Sequence, residues 1–296
     1  MMPQSGRRRA TVWLVTALAI IAILVWAAAA AAPSRGTLTV SVLDVGQGDA
    51  ILVTGPAGHH VLIDGGPSPE KVCLELGEML PFWEKRIDLV VLTHPHDDHV
   101  CGLVEVLRRY DVKQVLYSEG IEYGSSAYWE WLGVIDAKGI DSVRAAAGQR
   151  VELGYGAVLE ILHPPHEFLS GTASDEDNNG VVVRIEMGEV SFLLAADLFA
   201  DGERYLVEQG AVLESTVLKV AHHGSKTSTC GEFLASVDPE VAVVSVGADN
   251  TFGHPGGEVM ARLDGCVGGD RVYITADDGT VTFTTDGARL WVETER

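Results

Sequence analysis

The run Leu89-Val90-Val91-Leu92 reads as a buried strand, and it passes without a spacer into Thr93-His94-Pro95-His96-Asp97-Asp98-His99. Any fold for this chain must bring that strand to an edge of its core where the polar side chains can meet. On extended backbone, side chains two positions apart leave on the same side, so His94 and His96 can converge on one metal ion. A helix opening near Asp97 turns Asp98 and His99 back toward the same pocket, where they can hold a second. Neutral imidazole with carboxylate suits zinc, manganese or iron. Two ions about 3.5 to 4 Å apart can share a water, deprotonate it near neutral pH and clamp the oxygens of a phosphoryl or acyl group. The plainer alternative is a polar loop in which Asp97 or Asp98 caps a helix over residues 100–109. Capping does not call for three histidines, so a metal site is the expectation.

Strands lead the rest of the pattern. Thr37 to Val45 alternates apolar and polar residues, Gly46 to Asp49 supplies a tight turn, and residues 50–54 and 60–63 are extended, the latter ending at Asp64-Gly65-Gly66. Helical patterns follow at 69–79, 100–109 and 127–137, interleaved with strand-like runs at 89–92, 114–117 and 157–162. Further strands are expected at 181–187, 190–195, 217–221 and 241–246. A closing set lies near 271–275, 280–284 and 290–292, with Asp278-Gly279 and Asp286-Gly287 as hairpin turns. Apolar residues make up 47% of the chain and charged residues 21%, which excludes a disordered tail and supplies ample core. No long polar linker divides this region. Residues 38–296 therefore read as one mixed α/β domain, joined by a linker at 33–37 to a distinct segment at 1–32.

In that segment Arg7, Arg8 and Arg9 precede an uncharged run from Ala10 to Ala32, long enough to cross a bilayer as a helix. It is a signal peptide or a membrane anchor, and the pattern leaves both open. The cationic flank keeps the N-terminus in the cytoplasm and delivers the domain outside, so the expected location is extracytoplasmic. Beyond residue 32, 18 basic groups face 42 acidic ones, a net charge of −24. Such a field repels polyanions, and a nucleic-acid substrate then needs metal ions or a local basic groove to approach. Cys73, Cys101, Cys230 and Cys266 fit no ligand framework.

His94, His96, Asp98 and His99 form the pattern H-x-H-x-D-H, and at these residues the sequence resembles the metallo-β-lactamase superfamily. Asp44-Val45-Gly46-Gln47-Gly48-Asp49-Ala50, Leu62-Ile63-Asp64-Gly65-Gly66, Leu218-Lys219-Val220-Ala221-His222-His223-Gly224-Ser225 and Gly253-His254-Pro255 are similar, in order, to the motifs of the hydrolase domain of ComEC-type competence proteins. The resemblance covers about residues 38–274. It implies a four-layer αββα sandwich, preceded here by the N-terminal apolar helix, with a site for two divalent metal ions, zinc or manganese, at the open edge between its sheets.

Carried over residue by residue, the resemblance makes His94 and His96 ligands of one ion, and Asp98 and His99 ligands of the other. Asp197 takes the place of a bridging carboxylate, with Ala196 where the family usually has Gly. His222 is the later histidine ligand, and its neighbour His223 remains open. Between Asp98 and Asp197 the ligand is not fixed: His163, His166 and Asp177 compete, and Gly180 stands where the family commonly has Ser. Asp49 and Asp64 are expected to orient ligand imidazoles. Lys219, Ser225, Lys226, Asn250 and His254 are placed to meet an anionic substrate, with Asp98, Lys219 and His254 as the catalytic set and Lys219 or His254 stabilising charge on phosphoryl oxygens. Tyr128, Trp129 and Trp131 have the helical spacing of packing residues.

The function implied is a metal-dependent hydrolase of phosphodiesters, a DNA nuclease related to competence, with DNA, the membrane and a DNA-uptake machinery as partners. A phosphoesterase for small or cell-wall esters is the alternative enzyme. A non-catalytic binding module is the alternative outside enzymes.

Overall fold

A computed structural model describes residues 13, 16–21, 36–121 and 123–296. Most of the signal or anchor expected at 1–32 lies outside the described residues. Residues 16–21 are helical, and among the described residues no helix is long and apolar enough to cross a membrane. Residues 36–296 form one compact unit.

Two sheets make its centre. The first holds β1 (Leu38–Val42), β2 (Ile51–Thr54), β3 (His60–Ile63), β4 (Arg86–Leu92), β5 (Asp111–Tyr117) and β6 (Asp141–Arg144), with β14 (Val281–Thr285) and β15 (Leu290–Thr294) beyond β1. The second holds β7 (Arg150–Gly154), β8 (Ala157–His163), β9 (Val182–Met187), β10 (Val190–Leu194), β11 (Val217–Lys219), β12 (Val241–Val244) and β13 (Val272–Ile274) in reverse order across the sheet. Alternation along each strand sorts the core. Leu89 and Val91 of β4 join Phe192 and Leu194 of β10 between the sheets. Val90 and Leu92 face the other way, against helices α1 (Pro69–Met79), α2 (Asp97–Arg109) and α3 (Ser126–Lys138). Leu193 and Leu218 similarly face α4 (Ala200–Glu208), α5 (Gly231–Val237) and α6 (Gly257–Val267). The layers are helix, sheet, sheet, helix.

Strands β3 to β6 run parallel, as do β10 to β13, so their C-terminal ends gather the connecting loops. Ligands in α/β sheets bind outside such ends. Hydrogen bonds from Val181 N to Thr93 O (2.9 Å) and from Ser245 Oγ to Gly48 O (2.7 Å) tie the two sheets together there.

Tyr128 and Trp131 of α3 are buried in the helix layer, while Trp129 is exposed. The turn at Asp286-Gly287 does join β14 to β15, but Asp278-Gly279 is not a hairpin. Strands β13 and β14 belong to different sheets, and a single helical turn, α7 (Thr275–Asp278), carries the chain between them, with Gly279 at φ +71°.

One buried carboxylate ties α4 to the loop entering α5. Glu203 is fully buried and accepts hydrogen bonds from the backbone N–H groups of Thr229 and Cys230. Burial pushes its pKa from 4.5 up to about 7. Because the folded-state pKa is the raised one, its contribution to stability is complete below about pH 4.5 and is lost as pH rises through about 7. Urea unfolding at pH 5 and pH 8 is expected to show a loss of about 3 kcal/mol in the parent chain that Glu203→Gln lacks. Equal pH dependence in both proteins would contradict it.

Candidate metal centre

His94, His96, Asp98, His99 and Asp197 come together where β4 and β10 end, joined by Asp177 and His223. The N-cap of α2 is His96, which makes no side-chain capping bond, so Asp97 and Asp98 sit inside the first turn. There the helix dipole favours their negative charge. Close backbone packing fixes the entry of α2: a Cβ on Gly102 would lie 1.8 Å from the carbonyl oxygen of Gly65.

The hydrogen bonds settle how the imidazoles point. Asp64, in left-handed backbone at φ +59°, accepts from Thr93 N (2.8 Å), Thr93 Oγ1 (2.7 Å) and His99 Nδ1 (2.8 Å). The single proton of the Thr93 hydroxyl is thus committed to Asp64. At 3.0 Å from His94 Nδ1 that hydroxyl can only accept, which places the His94 proton on Nδ1. His223 donates its Nδ1–H to Ser245 O (2.9 Å), with Asp49 Oδ1 at 3.4 Å. All three rings therefore turn Nε2 inward.

Those Nε2 atoms are buried and have no hydrogen-bond partner among the described residues. Asp197 Oδ2 lies 4.0 Å from His94 Nε2, 3.4 Å from His99 Nε2 and 3.3 Å from His223 Nε2. Lone pairs converging on a carboxylate repel one another unless cations or protons lie between them. Burial opposes charge on His99, but Asp197, Asp64 and Asp98 outweigh it and hold its pKa well above the imidazole range. Burial is likewise outweighed at His223, by Asp197 and Asp49. Against its own burial, Asp197 is held well below the carboxylate range by His223 and His99. Burial, reinforced by His99, pushes His94 well below its ordinary value. A field that captures protons so firmly suits divalent cations, whose binding displaces them.

Two donor sets share this field. His94 Nε2 and His96 Nδ1 lie 3.4 and 3.3 Å from Asp177 Oδ1, itself buried without a hydrogen-bond partner among the described residues. Asp98, His99 and His223 form the second set, with His223 Nε2 3.5 Å from Asp98 Oδ2. Asp197 stands between them.

The structure thus differs from the sequence reading at several positions. His163 is fully buried but donates Nε2–H to Asn178 O (2.9 Å), and burial lowers its pKa to about 4; it supports the Asp177 turn and joins no donor set. His166 is exposed. At the later histidine position the inward donor is His223. β11 ends at Lys219, and His222 and His223 both adopt left-handed backbone (φ +50° and +52°), so strand alternation does not govern them. His222 keeps Nε2 3.9 Å from Asp197 Oδ2, its Nδ1 3.1 Å from Thr227 Oγ1 and its ring on Phe199. Lys219 is fully buried, its ammonium paired with Asp49 and 4.0 Å from Asp197 Oδ1. It braces the centre from a position closed to solvent.

Ser225 shares a hydroxyl contact with Thr227 (2.9 Å). Asn250 accepts from His254 N and donates to His254 O, holding His254 on the rim with its ring 5.7 Å from that of His222. Asp49 is buried against Lys219 and His223; burial opposes ionisation, yet these cations hold its pKa at about 2. Thr93 and Ser245 were not singled out from sequence. Thr93 precedes the first histidine at the strand end, a position that signals it; Ser245 acts through its carbonyl, which no residue type reports.

The model of the metallo-beta-lactamase superfamily matches residues 43–248. The chain belongs to that superfamily. Among curated proteins, it is 31% identical over 263 residues to ComE operon protein 3 of Bacillus subtilis, covering 82% of this chain and 32% of that protein. It is 32% identical over 225 residues to competence protein ComA of Neisseria gonorrhoeae, covering 76% and 29%. The superfamily chain thus spans about a third of the length of these competence relatives. Among solved structures, Zn(2+)-bound PqqB from Methylobacterium extorquens superposes with a TM-score of 0.51 at 15% identity, covering 79% of this chain and 87% of that one. The metallo hydrolase Igni18 from Ignicoccus hospitalis gives 0.51 at 19% identity, covering 83% and 98%. These likenesses concern the fold. Together with the donor sets, membership of the superfamily makes this a metal-dependent hydrolase.

The choice of Asp177 over His163 is testable by metal content. Asp177→Ala is expected to lose metal from the first donor set. His163→Ala is expected to keep it but to lose about 1–3 kcal/mol, because Asn178 O is left buried without its donor. Undiminished metal in Asp177→Ala would remove that residue from the ligand set.

Proposed function

We propose that the chain is an extracytoplasmic phosphodiesterase that cleaves DNA by means of two divalent cations. The observation carrying this reading is the set of inward-facing donors shared by Asp197, with one His/His/Asp group on one side and one Asp/His/His group on the other. Kinship with competence proteins supports DNA as the substrate and a DNA-uptake machinery as partner. Arg7 to Arg9 and the apolar run after them support delivery across, or anchoring in, the membrane.

His94, His96 and Asp177 would hold one cation and Asp98, His99 and His223 the other, with Asp197 common to both; zinc and manganese both suit the donors. When bound, such ions supply Lewis-acid polarisation of a phosphoryl oxygen and hydroxide near neutral pH. The chain's own part is orientation. Asp64 holds His99 and, through Thr93, His94. Asp49 and Ser245 hold His223. His254 stands at the rim with its ring 5.7 Å from that of His222, and Asn250 fixes its backbone. The net charge of −21 favours a second reading, in which the substrate is a small phosphate ester with less charge to repel.

Purified protein should contain two equivalents of divalent metal and cleave single-stranded or double-stranded DNA as well as bis-p-nitrophenyl phosphate, with His96→Ala and Asp98→Ala inactive. Cleavage of the small ester alone would favour the second reading. Absence of metal would leave a binding module, and full turnover in both variants would remove the mechanism.

A further inference from the structure

Between α4, the loop from Lys226 to Cys230 and α6 lies a cavity of about 460 Å³ lined by Arg204, Lys226, Thr227, Ser228, Glu232 and Arg262, among others. In a chain with twice as many acids as bases, three cationic side chains around one cavity stand out against the general field. Their commitments differ. Arg204 is shared with Asp201 (3.9 Å) and Glu232 (3.5 Å). Arg262 spends Nε and Nη2 on the carbonyls of Thr229 (2.9 Å) and Ser228 (3.1 Å), which fixes the guanidinium plane at the cavity wall. Lys226 is exposed and has no acidic partner among the described residues.

The cavity adjoins the metal centre through one side chain. Thr227, on its wall, has Oγ1 3.1 Å from His222 Nδ1, and the other ring nitrogen of His222 is 3.9 Å from Asp197 Oδ2. An anionic group seated among these cations is therefore the near neighbour of one reacting at the donor cluster. Lys226 also flanks the rim segment that carries His254, since a Cβ placed on Gly256 would lie 3.7 Å from Lys226 N and Gly256 N donates to Gly224 O (2.8 Å).

We propose that this cavity seats a phosphate of the substrate strand beside the one being cleaved, so that the enzyme grips an oligonucleotide or polynucleotide and not an isolated ester. The inference rests on the phosphodiesterase reading and adds the substrate's extent to it. A guanidinium fixed in place and a free ammonium are the usual pair for a phosphate, one giving direction and the other charge.

The test is fluorescence anisotropy of a labelled oligothymidylate of about ten nucleotides, within the span that single-strand sites cover, on the full chain. Lys226→Glu should raise Kd about tenfold at low salt and reduce the slope of log Kd against log salt by about 0.7, the share of one phosphate contact on a single strand. Lys226→Arg should restore binding. Lys113→Glu, at the N-terminal end of β5 and so opposite the C-terminal strand ends that carry the site, makes the same charge change and controls for net charge. In parallel, the ratio of kcat/KM for the oligonucleotide to that for bis-p-nitrophenyl phosphate should fall about tenfold in Lys226→Glu. An unchanged Kd and slope in Lys226→Glu, an equal loss in Lys113→Glu, or no strand binding by the parent chain would each overturn the seat. Strand binding that depends on Lys226 in a protein unable to hydrolyse either substrate would keep the seat and remove the phosphodiesterase reading. Displacement of the strand by millimolar inorganic phosphate only in proteins with Lys226 intact would support it further.

Discussion

Asp197→Asn is expected to empty the metal centre and abolish hydrolysis while leaving the fold in place. The substitution keeps shape and removes charge. That charge is what three inward Nε2 atoms share: the same carboxylate oxygen lies within 3.3 to 4.0 Å of His94, His99 and His223. Among the described residues, Asp197 alone of the carboxylates joins imidazoles from both sides of the cluster in this way. Residues that merely orient ligands cost about 10- to 100-fold when lost, so a shared ligand should cost at least about 100-fold in kcat/KM. Metal content, measured after dialysis, should fall to a small fraction of the parent's. The same loss of charge should return the pKa values of His99 and His223 toward that of free imidazole in the metal-free protein, because Asp197 heads the carboxylates that raise both. Histidine NMR titration checks this independently of turnover. An Asn variant with full metal and full activity would place the bridging charge elsewhere.

Much of the centre was legible because sequence-local geometry sets it. A strand ending into H-x-H-x-D-H puts two rings on one side and starts a helix that returns the next two side chains, and β4 and α2 do this. The Gly-flanked turn at Asp64 was legible for the same reason. Three things were not. His223 displaces His222 because two consecutive left-handed residues, a strained conformation, end the alternation on which a strand argument depends. Asp177 wins over His163 because a single helical turn splits three adjacent side chains among different tasks. Asp177 faces the donors, Asn178 Oδ1 accepts from Phe199 N and Gly202 N at the start of α4, and Asn179 is bound to Leu169. The helices α4, α5 and α6 were missed because none begins with a capping side chain of its own and none follows a motif that announces it, as H-x-H-x-D-H announces the equally uncapped α2. Ala196 shows the opposite case. Its φ of +49° explains why a family with Gly there is at ease, and its carbonyl still accepts His222 N (3.0 Å), so the departure is tolerated at the cost of backbone strain.

Lys219→Met is expected to cost stability where the sequence suggested it would cost chemistry. Alternation along β11 turns Val217 and Lys219 to the same side, into the space between the sheets, where Val217 meets the core and Lys219 meets Asp49. Both members of that pair are fully buried. Removing one partner of a buried pair leaves the other charge without compensation, which typically costs about 3–5 kcal/mol. In a domain of this size that is a fall in Tm on the order of 10 °C. Burial already opposes ionisation of Asp49, and Lys219 is the strongest of the influences that hold its pKa at about 2. Without the ammonium, Asp49 takes up a proton at higher pH, and the penalty should therefore shrink as pH falls. Adding Asp49→Asn to Lys219→Met removes the stranded charge and should recover a large part of the loss, a coupling that a double-mutant cycle reads directly. The catalytic role would predict the reverse pattern: an unchanged Tm, a fall in kcat, and no rescue by Asp49→Asn. That outcome would return Lys219 to the substrate side of the centre.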